Sequence, residues 1–262
     1  MLLRRLTKHV KDQNWFAVFL DFIIVVFGVF IGLQVANWNE ARGDRADEAR
    51  FLLSLDQDMT ETIEEIDTVM AALAKHEAAR ETLFNHSLNP DDGIAPDDLP
   101  SLISAAFWQF HTVEIRVTTF DTLRNSGRLG VIDDADLVVA LQDLAALIES
   151  AEFDEDMELH ILQRFSDPLL HDEVDMAAIM TARGLESGET HVPWVKATPG
   201  TFSEPEYFQT QKFRNTLLFR AASTRSRIRT FQSLRAKSLD IRALIRRRLA
   251  ELGQAAPATQ NP

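Results

Sequence analysis

The residue types able to do chemistry are few, and their spacing is unhelpful to a catalyst. Seven histidines are present: His9, His76, His86, His111, His160, His171 and His191. A zinc protease sets two histidines in H-E-x-x-H, and a di-iron bundle sets a Glu three residues before a His. None of the seven has either spacing. Asp156 and His160 lie four apart on a predicted helix and could hold a metal only weakly. The acids around them, Glu152, Asp154, Glu155, Asp156 and Glu158, read as a solvated helix face. There is no G-x-S-x-G, no phosphate-binding G-x-x-x-x-G-K and no G-x-G-x-x-G. Cysteine is absent, which excludes disulfides, thiol catalysis and Cys-ligated zinc. Phe107, Trp108 and Phe110 read as core rather than as a ligand cage. No catalytic residue, cofactor or metal site is therefore assigned.

The residues that do stand out belong to one stretch, Trp15 to Trp38. Its 24 residues hold only three polar side chains, Asp21, Gln34 and Asn37. A membrane-crossing helix needs roughly 20 mostly apolar residues. Tryptophans at the ends suit the headgroup layer, so Trp15 and Trp38 are expected at the membrane interface. A cleaved signal peptide has a shorter apolar core and a small-x-small cleavage site; Val35-Ala36-Asn37 is a poor match. Gly28 and Gly32 form G-x-x-x-G, Ala36 extends it, and Asp21 lies seven residues earlier. Small residues at that spacing let two helices approach closely. A carboxyl group within a bilayer seeks a partner or its neutral form. Asp21, Gly28, Gly32 and Ala36 are thus the expected helix-packing face.

Four basic residues precede the span, Arg4, Arg5, Lys8 and Lys11, and three follow closely, Arg42, Arg45 and Arg50. The positive-inside rule then places the N-terminus in the cytoplasm, which in a bacterial cell puts the large domain in the periplasm. Residues 1–14 are expected to be a basic cytoplasmic tail, 15–38 the transmembrane helix, 39–252 a periplasmic helical domain and 253–262 a disordered tail.

Charge is distributed unevenly along the chain. Residues 1–38 carry +2, 39–89 carry −7, 90–207 carry −18 and 208–262 carry +10, for a net −13. A basic end in an acidic chain is expected to pack on its own acidic segments. Nucleic acid is not an expected partner, because no recognition motif accompanies the charge.

The elements follow from apolar periodicity. Gly43 marks a soft point after the span. Asp44 to about His86 reads as one helix, with Leu52, Leu55, Met59, Ile63, Ile66, Met70 and Leu73 on one face. Asn89 to Gly93 is a turn. Leu102–Phe110 is a short buried helix and 111–117 an extended linker. Thr118, with Asp121 three residues on, is expected to cap a short helix that ends at Gly127. Asp133 or Asp134 caps the next helix, and a separate one covers about Phe153 to Leu170, ending near Asp167-Pro168. Residues 183–203 are irregular. Ser203-Glu204-Pro205-Glu206 resembles a capping box, opening a last helix to about Leu252. Its expected apolar face is Leu217, Ala221, Ile228, Phe231, Leu234, Ile241, Ile245 and Leu249. The fold class is all-α: a membrane helix, then an antiparallel bundle with long first and last helices. An antiparallel return brings Arg246, Arg247 and Arg248 toward the membrane surface, where anionic lipid attracts each by about 1 kcal/mol.

Two stretches carry a family resemblance. One is Asp21 through Glu40, which ends in Gln34-Val-Ala-Asn37-Trp38-Asn39-Glu40; the other is Thr119-Phe-Asp-Thr-Leu-Arg-Asn-Ser-Gly127-Arg-Leu-Gly-Val-Ile132. Both resemble an uncharacterised family of bacterial single-pass membrane proteins, with Ala36 standing where asparagine is frequent. The resemblance implies architecture and location, not chemistry. The expected function is a membrane-anchored helical interaction or scaffold protein. Its expected partners are the bilayer and a protein, or its own copies joined through the span. A transmembrane ligand sensor, or a hydrolase using the 152–158 acids with His160, are the alternatives.

Overall fold

Apolar periodicity of three and four, with almost no glycine or proline inside the elements, produces helices throughout. The computed structural model describes residues 15–90, 93–95, 97–187 and 206–254, of which 15–18 and 182–187 as backbone only. The basic tail 1–14, residues 188–205 with Ser203-Glu204-Pro205, the tail 255–262 and the Trp15 side chain lie outside the described residues. Helices and no strand are found among the described residues. The chain divides into two compact units, 1–51 and 52–262.

In the first unit, helix α1 (Trp15–Leu88) begins and passes through Gly43 unbroken. The expected soft point does not appear: one glycine costs about 1 kcal/mol against alanine, and good helix formers such as Ala41, Arg42 and Arg45 flank it. Between Phe19 and Trp38 every side chain is exposed except Ile23, which is intermediate. This is one helix long and apolar enough to cross a membrane.

Among the described residues the second unit holds the remainder of α1 and six further helices. Helix α2 (Leu99–Ile103) runs into a wide π turn, Ser104–Trp108. Helix α3 is Thr118–Asn125, and α4 is Ala135–Ile161. A second π turn, Leu162–Ser166, leads into α5 (Asp167–Glu173). Then come α6 (Met176–Ser187), a 3-10 turn at Glu206–Gln209 and α7 (Gln211–Glu251).

Ion pairs and side-chain hydrogen bonds fix the direction of packing. From α1 to α7, Arg80 reaches Thr224 at 2.8 Å, Asp67 meets Arg235 at 2.7 Å and Asp56 meets Arg242 at 3.0 Å. From α4 to α7, Asp154 meets Thr230 at 2.6 Å, Asp143 meets Lys237 at 3.0 Å and Asp134 meets Arg247 at 2.9 Å. One number rises as the other falls in both series, so α7 runs antiparallel to both helices. The long first and last helices pack together as expected. The more exposed pairs, Asp67–Arg235 and Asp143–Lys237, are worth about 0–1 kcal/mol each, so they set register more than stability. The stabilising bulk lies in buried Leu52, Leu55, Met59, Leu144, Phe231 and Ile241, at roughly 1.5–3 kcal/mol per large side chain.

Several boundaries differ from the sequence reading, each for a local reason. Helix α4 is continuous through residues 148–153, where no proline or glycine intervenes, so the two helices expected there are one. Pro168 does not end the helix. It lacks the N–H owed to residue 164, and the widened turn at Leu162–Ser166 carries the chain past it. The stretch expected to be irregular from 183 is helical to Ser187. Helix α7 starts at Gln211 rather than after Ser203, because the Thr210 hydroxyl accepts the Phe213 N–H at 3.2 Å. Thr118 does not cap α3; the carboxylate of Asp58 on α1 accepts the Thr119 N–H at 2.9 Å instead. Gly127, at φ +69°, ends α3 as expected, with the Arg128 N–H donating to Leu123 O at 2.8 Å.

Asp134 is the N-cap of α4, accepting the Leu137 N–H at 3.0 Å. Burial alone would raise its carboxyl. Hydrogen bonds from Arg247 and from Leu137 outweigh that and hold it below the ordinary range. Asp134→Ala is expected to lose about 1–2 kcal/mol in urea unfolding. Asp134→Asn, which keeps the capping oxygen, is expected to lose less; equal losses would show that the cap is unimportant.

Candidate functional site

An extended segment inside a helical bundle carries N–H and C=O groups that no helix satisfies. Residues 109–117 are such a segment, and side chains from three helices meet their needs. Just before the segment, Arg80 on α1 donates from Nε to Ala106 O in the first π turn at 3.0 Å. Arg220 and Arg227 on α7 donate to Gln109 O, at 3.4 Å, and to His111 O. Glu155 on α4 accepts the Val113 N–H at 3.0 Å. Thr62 on α1 accepts the Arg116 N–H at 3.1 Å and donates back to its carbonyl at 3.3 Å.

Three arginines drawn inward need counter-charge, because an unpaired buried ion is very costly. Arg220 meets Glu158 at 2.6 Å, and the Ser223 hydroxyl donates to the other Glu158 oxygen at 2.6 Å. Arg227 meets Glu155 at 3.4 Å and sits over the rings of Phe110 and Phe231 at 5.1 and 5.4 Å. Arg80 meets Glu77 at 2.8 Å. Arg220, Arg227 and Glu158 are each at most 1 % exposed. Burial pulls Arg220 down to about 10, so it remains charged at neutral pH. Burial also pushes Glu155 up, against the opposing Val113 N–H and Arg227.

Two histidines close the network. The His76 and His111 rings stack with centroids 5.0 Å apart. His76 Nε2 lies 2.8 Å from Gln109 Oε1. Burial, with Arg80, His111 and Arg220 close by, drives His76 down to about 4. Burial and Arg227 lower His111 as well. Both imidazoles are therefore neutral at pH 7.

The sequence missed this network and misread its acids. Glu158 is buried and Asp154 and Glu155 are half-buried, so the expected solvated face points partly inward. His160 is exposed on the other side of the helix from buried Glu158, and among the described residues its ring bonds the Asp156 carbonyl, at 2.8 Å. A signal existed on α7: residues 220, 223, 224 and 227 continue the stripe of Leu217 and Phe231, and all four are polar and buried. Ala221 and Ile228, expected to fill that gap, are only half-buried. On α1, Val69 is buried where Met70 was expected. Among the described residues no group of three His, Asp or Glu is placed to hold a metal.

The expected membrane residues are found as follows. Asp21, Gly28, Gly32 and Ala36 lie on α1 within an arc of roughly 80° at 100° per residue. A methyl group added at Gly28 or Gly32 would meet nothing within 4 Å. Trp38 is 66 % exposed. Arg246 approaches Asp56 at 4.0 Å, Arg247 meets Asp134, and Arg248 meets Asp133 at 3.3 Å and Glu251 at 3.1 Å. All three arginines thus engage carboxylates of their own chain.

A cavity of about 460 Å³ opens where α7 begins, between α5, the second π turn and Tyr207. Phe165 and Phe219 stack at its edge, 5.3 Å apart and nearly parallel. Arg164 lies over Phe165 at 5.9 Å and Lys212 over Tyr207 at 5.5 Å. Such a volume falls in the range of small-molecule sites.

No family model, curated protein or solved structure matches the chain.

Proposed function

We propose that this chain is a single-pass, membrane-anchored helical module of the bacterial envelope that binds another protein or further copies of itself. The observation that carries the reading is the apolar start of α1, which is exposed from Phe19 to Trp38 except at half-buried Ile23. Apolar side chains of the same kinds are buried in the second unit, where Leu52, Phe107 and Ile241 are fully covered. An exposed apolar helix of this length needs lipid or a partner around it. The N-terminus lies in the cytoplasm and the bundle in the periplasm, by the count of basic residues on either side. The resemblance to bacterial single-pass membrane proteins supports the same arrangement. No reaction is assigned to the chain. Arg246, Arg247 and Arg248 are proposed to face the membrane surface while holding their carboxylates; Arg247, 51 % exposed, is the most open of the three, and Arg248, 15 % exposed, the least.

Affinity capture of the full chain from crosslinked native membranes tests the reading. A reproducible partner or a self-associated species is expected; finding neither contradicts it. Self-association is assigned to the face of Asp21, Gly28, Gly32 and Ala36. Gly28→Ile with Gly32→Ile is then expected to shift the protein to monomer in detergent, and an unchanged oligomer rejects that face. Orientation follows from introduced cysteines, because the chain has none of its own. Asp240→Cys is expected to react with an impermeant reagent in cells with a permeabilised outer membrane, and Thr7→Cys is not.

A second reading, a ligand sensor, is favoured by the cavity beside Tyr207 and Phe219.

A further inference from the structure

Beyond the anchor and any protein partner, the cavity at the start of α7 has a chemistry of its own. Its lining carries both signs of charge: Arg164 and Lys212, and Asp172 and Glu173. The opposite charges do not pair with each other across it. The Lys212 ammonium, the Glu173 carboxylate and the Asn215 amide make no hydrogen bond or ion pair to another described residue. The two cations instead lie over aromatic rings. Beside them the stacked rings of Phe165 and Phe219 form an apolar platform, and Phe219 is 52 % exposed. The wall that carries Arg164 and Phe165 is the π turn Leu162–Ser166, a backbone form concentrated at functional sites.

A purely anionic ligand would meet Asp172 and Glu173, and a purely cationic one would meet Arg164 and Lys212. Only a molecule carrying both charges answers both ends, and only one with a flat apolar body covers the phenyl platform. We propose that this cavity binds an aromatic zwitterion of amino-acid to dipeptide size. Its carboxylate would lie toward Lys212 and Arg164, its ammonium toward Glu173 and Asp172, and its ring against Phe219. Exposed charge contacts and a single ring contact are each weak, so affinity no tighter than the millimolar to high-micromolar range is expected.

The test uses the full chain in lipid nanodiscs and ligand-observed NMR. The probes are phenylalanine, phenylalanyl-phenylalanine, phenethylamine and 3-phenylpropionate. The two zwitterions are expected to bind, and each single-charge analogue to bind about tenfold more weakly, a difference of about 1.4 kcal/mol. Comparing the amino acid with the dipeptide separates a free amino acid from a peptide source. Lys212→Met is expected to weaken the zwitterions and leave phenethylamine unchanged. Glu173→Gln is expected to weaken the zwitterions and leave 3-phenylpropionate unchanged. Both side chains are at the surface, so folding is preserved, and circular dichroism verifies it. Absence of zwitterion binding at millimolar concentration overturns the proposal. So does equal binding of the single-charge analogues, or binding that survives both substitutions and Phe219→Ala.

Discussion

Glu158→Leu is expected to destabilise the bundle by about 3–5 kcal/mol, because removing one partner of a buried pair strands the other charge. Glu158 is buried against Arg220 at 2.6 Å, and Ser223 holds its second oxygen. Arg80 and Arg227 lie in the same region, so the loss of one carboxylate leaves three guanidiniums facing fewer counter-charges. For a unit of this size each kcal/mol shifts the melting temperature by roughly 2–4 °C, so the variant should melt roughly 6–20 °C lower. The double variant Glu158→Leu with Arg220→Met is expected to lose clearly less than the sum of the two single losses, since replacing both ions with apolar groups is often near neutral. Recovery should be incomplete, because Gln109 O then loses the Arg220 donor. Strictly additive losses would show that the pair is not coupled.

The second large effect is on pH. His76 titrates at 6.5 in an unfolded chain and at about 4 in the folded one, mainly because burial disfavours its charged form. The unfolded state therefore takes up a proton first as pH falls. Stability from neutral His76 is whole above pH 6.5, declines below it, and has fallen by about 3 kcal/mol once pH passes 4. His111 is shifted in the same direction and adds to the decline. Glu155 acts in the opposite sense: its raised value adds stability at low pH that is lost as pH rises through it. Comparison of the native chain with His76→Gln isolates the histidine, since glutamine keeps a hydrogen-bonding group beside Gln109. Between pH 7.5 and pH 5 the native chain should lose about 2 kcal/mol more than the variant in urea unfolding. Parallel pH profiles would show that His76 is not buried as described.

Helix content and the antiparallel return of α7 were legible because they rest on repeating patterns. Leu217, Phe231, Leu234, Ile241, Ile245 and Leu249 recur at helical spacing, and all are buried. Local capping was legible where the cap is sequential, as at Asp134 and Gly127. It was not legible at Thr119, whose N–H is accepted by Asp58, 61 residues away. The buried network escaped for the same reason. Arg80, Arg220 and Arg227 are ordinary surface residues by type. Arg80 serves the π turn at Ala106, and Arg220 and Arg227 serve the extended segment 109–117, whose backbone draws donors and acceptors from three helices at once. That demand is created by tertiary packing and leaves only a faint trace, the polar interruption of α7 between Leu217 and Phe231. The cavity beside Phe219 was likewise invisible, since its lining comes from residues 164–173, 207 and 211–219 and no motif joins them.

The function proposed for this chain depends first on the apolar start of α1 crossing a lipid bilayer. Alkaline carbonate washing of membranes from cells making the full chain measures this directly. The protein is expected to remain in the sedimented membranes, as an integral span does. Its release into the supernatant along with peripheral proteins would contradict the anchor and the function built on it.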